Sequence, residues 1–248
     1  MDVKGNTVLI TGGSNGIGLA LAKRFSAAGS EVIICGRRKD KLEAAKKDCP
    51  ALHIKCCDVG DKEQRKELFK WATATFPDIN VLINNAGIQQ RVNFCDANEP
   101  WDHYENEIEI NLKAPIHFSM LFAPHLAKQK NAGIVNVSSS LSFMPPVWVP
   151  IYGATKAGIH SFTVSLRIQL KELGIDVVEI VPPAVNTDLG GVGLHTFGVP
   201  LDDFADTVFE GLKSGVFEVG YGTSLESQNL TRTQLEDRAQ KVWESMKR

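Results

Sequence analysis

Short runs dense in Val and Ile alternate along the chain with longer stretches of helical periodicity. Thr7–Ile10, Glu31–Cys35, Leu52–Cys57, Asn80–Asn84, Gly133–Ser138 and Asp176–Val181 read as strands. Apolar residues fall on both faces of these runs, which suits strands covered on both sides, as in a parallel sheet. Between them, Ile17, Ala20, Leu21 and Phe25 form one apolar helical stripe. Asp61–Phe76 forms a second, opening on an Asp suited to capping, and Glu99–Lys128, Tyr152–Leu173 and Leu201–Lys213 follow. Val216–Val219 is a candidate seventh strand, and Thr231–Arg248 a charged helical tail whose stripe is Leu235, Ala239, Val242 and Met246. The order predicts an α/β fold: a Rossmann-type doubly wound parallel sheet of about seven strands with helices on both faces. Residues 1–248 are expected to form one domain, with a tail over 225–248.

Charge and composition exclude several function classes. Lys+Arg number 27 and Asp+Glu 29 in 248 residues, a formal charge of −2, so binding nucleic acid through bulk charge is not expected. No apolar run approaches the roughly 20 residues that cross a bilayer. The start, Met1-Asp2-Val3-Lys4-Gly5, lacks the apolar stretch of a signal peptide. A cytoplasmic protein without nucleic-acid or membrane partners is expected. The five cysteines, Cys35, Cys49, Cys56, Cys57 and Cys95, are odd in number and form no Cys-x-x-Cys pair. No metal site or disulfide scaffold is therefore expected.

The first strand runs into Thr11-Gly12-Gly13-Ser14-Asn15-Gly16-Ile17-Gly18, which opens a helix. Glycines there permit a sharp turn and close approach of a ligand, and the free N–H groups of the helix start suit a pyrophosphate. A second strand follows, which favours a dinucleotide site over an ordinary glycine turn. The spacing is Gly-x-x-x-Gly-x-Gly, not the commoner Gly-x-Gly-x-x-Gly. The second strand ends at Cys35-Gly36-Arg37-Arg38, with no acid to accept the ribose hydroxyls of NAD(H). A guanidinium binds a 2′-phosphate through forked hydrogen bonds. NADP(H) is therefore expected over NAD(H), with Arg37 the first contact and Arg38 the second; Ser14 or Asn15 offers a further donor. Asp58, followed by Val59, suits the adenine amino group, or else caps the next helix.

At the other end, Asn84-Asn85-Ala86-Gly87 puts amides and a small turn where ligands bind in this architecture. Ser138-Ser139-Ser140 follows the fifth strand, and Tyr152-Gly153-Ala154-Thr155-Lys156 opens a long helix. Tyr152 and Lys156 lie one turn apart on one face. A phenol near pKa 10 is a poor base at neutral pH; a neighbouring ammonium favours its phenolate, and so would the positive nicotinamide of an oxidised cofactor. Lowering it by two to three units takes roughly 3–4 kcal/mol. The phenol then exchanges a proton as hydride moves at a carbonyl carbon, while a serine hydroxyl holds the oxygen.

In these motifs and their order, from about residue 5 to about residue 190, the sequence resembles the single-domain short-chain dehydrogenase/reductase family. Phe76–Asn80, Asn84–Gln89 and Pro182–Leu189 further resemble a bacterial branch labelled after the D-alanyl–lipoteichoic acid operon. The resemblance implies a catalytic tetrad of Asn111, Ser139, Tyr152 and Lys156. Ser139 is chosen from the three serines because the family places its serine 13 residues before the tyrosine. Lys156 would also bind the nicotinamide ribose, and Asn111 would hold a relay water. The cofactor would meet Gly12, Ser14, Asn15, Gly16, Ile17, Gly18, Arg37, Arg38, Asp58, Val59, Asn85, Ala86, Gly87, Tyr152, Lys156, Pro182, Val185 and Thr187. Pro183 stands where the family carries glycine. The resemblance also implies a homodimer or homotetramer.

The substrate is expected among Gln89–Phe94, Leu141–Val149 and Leu189–Pro200. The later two segments are apolar and lack arginine, which predicts a small, largely apolar carbonyl or alcohol. Gly190, Gly191, Gly193 and Gly198 would let residues 188–200 act as a lid. His195 is expected to be an exposed loop residue. A cofactor-sensing protein without catalysis is disfavoured because Tyr152 and Lys156 are both present. A sugar-nucleotide epimerase or dehydratase is disfavoured because little chain remains for a sugar-nucleotide site.

Overall fold

The computed structural model describes residues 2–246. Seven parallel strands form one sheet: β1 (Thr7–Thr11), β2 (Glu31–Gly36), β3 (His53–Cys56), β4 (Val81–Asn84), β5 (Gly133–Val137), β6 (Asp176–Val181) and β7 (Glu218–Gly220), in the order β3-β2-β1-β4-β5-β6-β7. Successive strand residues enter opposite layers. Val8, Ile10, Val32, Ile34, Val81, Ile83, Val178 and Ile180 face one core; Leu9, Ile33, Leu82, Ile134 and Val177 face the other. The apolar density that signalled buried strands thus fills two layers.

Helices α1 (Gly16–Ala27), α2 (Lys39–Asp48) and α7 (Leu201–Lys213) cover the first layer through Leu21, Phe25, Leu42, Phe204 and Val208. Helices α3 (Lys62–Thr75), α5 (Ala114–Leu126) and α6 (Pro150–Leu170) cover the second through Leu68, Phe118, Phe122 and Leu166. Each fully buried Leu or Phe contributes about 1.5–3 kcal/mol of transfer free energy. Asp61 caps α3 by accepting from the N–H groups of Glu63 and Gln64.

The structure revises several expectations. The seventh strand begins two residues later than Val216. Helix α2 has no counterpart in the sequence reading: within KDKLEAAKKD only Leu42 and Ala45 are buried, so its apolar stripe is too thin to register. The long pattern from Glu99 is α4 (Trp101–Ile108), a π-helical segment (Glu109–Lys113) and α5, without a break. Pro115 explains the change of winding. It has no N–H to give the Asn111 carbonyl four residues earlier, and its ring crowds that carbonyl. The ladder shifts to i+5, and the Ala114 N–H reaches the Glu109 oxygen. The tail divides into α8 (Thr223–Gln228) and α9 (Arg232–Met246), with Ala239 buried. The Met246 side chain and residues 247–248 of the expected tail lie outside the described residues. Among those residues, no helix is long and apolar enough to cross a membrane.

A buried polar chain ties β4 and β5 to α6. The Asn84 amide donates to Asn136 Oδ1 at 2.9 Å, the Asn136 amide donates to Thr163 Oγ1 at 2.9 Å, and the Thr163 hydroxyl donates to the Ile159 carbonyl at 2.7 Å. Truncating the middle member removes the acceptor of an Asn84 amide N–H and the donor to Thr163 Oγ1 in a desolvated setting, leaving Asn84 only its 3.5 Å contact to Ser119 and Thr163 only its bond to Ile159. Asn136→Ala is expected to lower stability by about 2–4 kcal/mol; urea unfolding followed by circular dichroism measures it, with Ser165→Ala on the exposed side of α6 as the neutral control.

Candidate active site

The order switches between β1 and β4, which are neighbours in the sheet but far apart in sequence. In such folds a crevice opens at the carboxyl ends of these strands. Thr11 and Asn85 clamp it. The N–H groups of Asn85 and Ala86 donate to Thr11 Oγ1 at 3.0 and 3.1 Å, and the Asn85 amide donates to the Thr11 and Gly12 carbonyls at 2.9 and 3.1 Å. Gly12 has φ +65° and Gly16 φ +53°, the left-handed region that glycine adopts freely. A side chain on Gly18 would run into the Asn85 amide and the Gly12 carbonyl. These contacts hold the start of α1 against the β4 turn.

Asn15, at the N-cap of α1, makes no side-chain cap bond. The first-turn N–H groups therefore face the crevice with the positive end of the helix dipole behind them, an arrangement that holds anions. Thr187 crosses the opening: its methyl lies 3.5 Å from where a Gly16 Cβ would sit. The glycine loop, Ile17, Ala86 and Thr187 thus frame a cradle that side chains would fill, and it fits a pyrophosphate.

One flank of the cradle carries the strand-end arginines. Arg37 Nη1 lies 4.0 Å from Asp58 Oδ2, with both side chains about half exposed. Asp58 Oδ1 accepts from the Gly60 N–H at 2.9 Å. The helix-cap alternative for Asp58 falls to Asp61 instead. Ser14 Oγ sits 3.4 Å from the Cβ position of Gly36, so it borders the same flank. Arg38 is exposed at the N-cap of α2, and Val59 is buried.

The other flank carries Tyr152 and Lys156, both buried on the first turns of α6. Ser139, two residues past β5, acts on the Tyr152 phenol, pulling its pKa down, and its Oγ accepts from the Leu141 N–H at 3.1 Å. Of its neighbours, Ser138 donates to the Ile180 carbonyl at 3.3 Å and Ser140 opens a short 3-10 turn. Lys156 Nζ donates to the Val137 carbonyl at 2.8 Å and lies 5.6 Å from the Tyr152 ring centre.

In the protein alone, burial outweighs the pull expected of Lys156 on the phenol. Burial dominates, pushing Tyr152 up to about 12; the Ser139 hydroxyl pulls it down and the Glu107 carboxylate pushes it up. Burial likewise lowers Lys156 to about 8, against the opposing pull of Glu107 and Glu179. The protein alone therefore keeps the phenol protonated at neutral pH.

Asn111 sits in the π-helical segment and grips the chain beyond β4. Its Oδ1 accepts from the Ile88 N–H at 2.9 Å, and its amide donates to the Ile88 carbonyl at 2.8 Å and to Thr155 Oγ1 at 3.3 Å. A Cβ on Gly87 would lie 3.3 Å from Asn111 Oδ1 and 3.6 Å from Lys156 Nζ, so glycine lets these two groups converge.

The three substrate segments also meet. The Val92 N–H donates to the Trp148 carbonyl, and the Cβ position of Gly190 lies 3.2 Å from the Gln89 carbonyl. Val199 pairs with Val185 as an isolated bridge, while Val192 and Phe197 stand 87% and 77% exposed. His195 is half-buried, not exposed, and its Nδ1 lacks a partner. Pro182 accepts from the Ser140 N–H and Ala184 from the Val199 N–H, which sets the backbone after β6 despite Pro183. The sequence reading missed Glu107. In Glu105-Asn106-Glu107-Ile108-Glu109 it resembles one more solvated acid, yet it is fully buried beside Tyr152 and Lys156.

The short chain dehydrogenase profile matches residues 6–192. DltE of Bacillus subtilis (strain 168), an uncharacterized oxidoreductase, is 46% identical over 224 residues, which cover 88% of this chain and 89% of that protein. The fold matches a short-chain dehydrogenase from Sphingobium yanoikuyae in complex with NADPH, with TM-score 0.79 and 25% identity over 97% of this chain and 94% of that one. It also matches one from Burkholderia cenocepacia J2315 in complex with NADP, with TM-score 0.84 and 24% identity over 96% and 99%. From the glycine loop to the segment after β6, this chain belongs to the short-chain dehydrogenase family.

Proposed function

We propose that the protein is an NADP(H)-dependent oxidoreductase that interconverts a carbonyl and an alcohol on a small, largely apolar substrate. The observation that carries this reading is the buried Ser139–Tyr152–Lys156 group beside an anion cradle with no acid at the end of β2. Gly12, Gly16, Gly18 and Thr187 would hold the dinucleotide, with Arg37 and then Arg38 on its 2′-phosphate. When bound, the dinucleotide supplies the hydride and, in its oxidised form, a positive ring.

In the reducing direction, Ser139 would hold the carbonyl oxygen and the Tyr152 phenol, protonated at neutral pH, would donate its proton there. Lys156, buried and hydrogen-bonded to Val137, would place its positive charge one turn from the phenol and favour the phenolate left behind. Asn111 would fix Ile88 and hence the wall opposite. Residues 188–200, resting through Gly190 on Gln89, would close over the substrate. Exposed Met120 on α5 and Val164 and Ile168 on α6 support self-association through these two helices.

The NADP(H) preference has a physical counterweight, because Asp58 partly neutralises Arg37 at 4.0 Å. Arg37→Asp is expected to reduce kcat/KM for NADPH about tenfold to a hundredfold while sparing NADH, since a charge-assisted contact to a phosphate is worth about 1.5–3 kcal/mol. Steady-state kinetics with both cofactors measures this, and equal losses with the two would overturn the assignment.

Tyr152→Phe is expected to lower turnover about 10²–10⁴-fold with cofactor affinity nearly unchanged. The pH dependence follows from the sign of the Tyr152 shift. Reduction uses the protonated phenol, so its rate should hold through neutral pH; oxidation uses the phenolate, so its rate should rise with pH. A panel of aldehydes, ketones and alcohols assayed by NADPH absorbance from pH 6 to 10 checks both; falling oxidation rates with rising pH would contradict the role of Tyr152.

A further inference from the structure

Glu107 is a buried acid that this proton transfer does not use. It lies on the last turn of α4, four residues before Asn111, and its side chain is fully enclosed. Its Oε1 accepts the Gln90 N–H at 3.2 Å, while its Oε2 is buried with no hydrogen-bond partner. A carboxylate taken out of water with one acceptor idle is costly, and such groups are retained mainly where their charge or proton has a use. Here the surroundings supply one.

Asn111 and Glu107 hold the same stretch of chain, Asn111 through Ile88 and Glu107 through Gln90. The Gln90 side chain in turn donates to the His103 carbonyl at 3.1 Å, closing the stretch back onto α4. Between the two gripped residues is Gln89, on whose carbonyl Gly190 rests. One helix thus fixes the wall of the substrate crevice at two points a turn apart. The same carboxyl acts on the opposite wall. Lys156 is the charged group that acts on Glu107, Glu107 and Glu179 act on Lys156, and Glu107 acts on Tyr152.

We propose that Glu107 is a positioning residue for the reaction, fixing the Gln90 backbone at the substrate wall while its ionisation sets the charge felt by the Tyr152–Lys156 pair. This rests on the carbonyl–alcohol reading above. Burial raises the Glu107 carboxyl to about 7, against the Gln90 N–H and Lys156, which lower it. It therefore changes charge in the neutral range. Above that midpoint the carboxylate holds the proton on Lys156 and on Tyr152 more tightly; below it, the neutral acid no longer adds to that hold, and both groups keep their protons.

Glu107→Gln tests this, because glutamine keeps the shape and the acceptor for Gln90 but cannot ionise. Thermal melting and NADPH fluorescence titration establish first that folding and cofactor affinity stay within twofold of wild type. The pH profile of kcat/KM between pH 5.5 and 9 is then compared. The expected result is an inflection near pH 7 in wild type that vanishes in Glu107→Gln, with kcat changing more than KM. Infrared difference spectra provide a readout without turnover: a protonated-carboxyl band lost with a midpoint near pH 7 in wild type and missing in the variant. Superimposable pH profiles, or no such band, overturn the proposal. Wild type inactive on every carbonyl and alcohol with either cofactor overturns the reaction reading itself, an outcome distinct from an active enzyme indifferent to Glu107. Should Glu107→Gln not fold, Glu107→Asp withdraws the charge by one methylene, and an unchanged inflection in that variant counts equally against the role.

Discussion

The hydrogen bonds between Thr11 and Asn85 are the constraint on which the candidate site depends. They join the ends of β1 and β4, strands separated in sequence by three helices and two other strands yet paired in the sheet. Parallel strands expose their carboxyl ends on one edge, and at this switch the loops leave in opposite directions. The clamp converts that topological gap into a rigid crevice. Glycine at 12 and 18 is required because the amide of Asn85 occupies the space that side chains would take.

The flanks of the crevice have opposite electrostatic characters. Arg37 and Asp58 are half exposed, so their attraction is screened, and the arginine retains donors for a further anion. Tyr152, Lys156 and Glu107 are buried, where desolvation dominates each group. It favours the neutral form of all three, so the phenol holds its proton while the lysine and the glutamate move toward neutral pH. Their mutual attraction opposes this and keeps the lysine from falling further.

Much of the architecture was legible in the chain. Val8, Leu9 and Ile10 contribute to both cores, so a run apolar at every position is what a sheet covered on two sides requires. The glycine loop and the Tyr152–Lys156 spacing were legible for a similar reason: each is a local device whose geometry follows from a few consecutive residues or one helical turn. Helix α2 was not, since an edge helix buries little more than Leu42 and Ala45. Glu107 was hidden because a helix of alternating acids looks solvated until another layer covers it.

The sequence by itself determined the strand–helix alternation, the glycine loop that opens α1 and the helical pairing of phenol and ammonium, because these depend on short-range periodicity and backbone freedom. Tertiary structure decided what those groups do to one another. It brought Ser139 to the phenol, Asn111 and Lys156 together at Gly87, and a buried carboxyl beside both members of the pair. In the protein alone, it also pushes the Tyr152 phenol up by burial, against the pull expected of the neighbouring ammonium. Spacing along a helix sets the distance between two charges, but the dielectric around them comes from the layers that fold over them, and that was decided by packing.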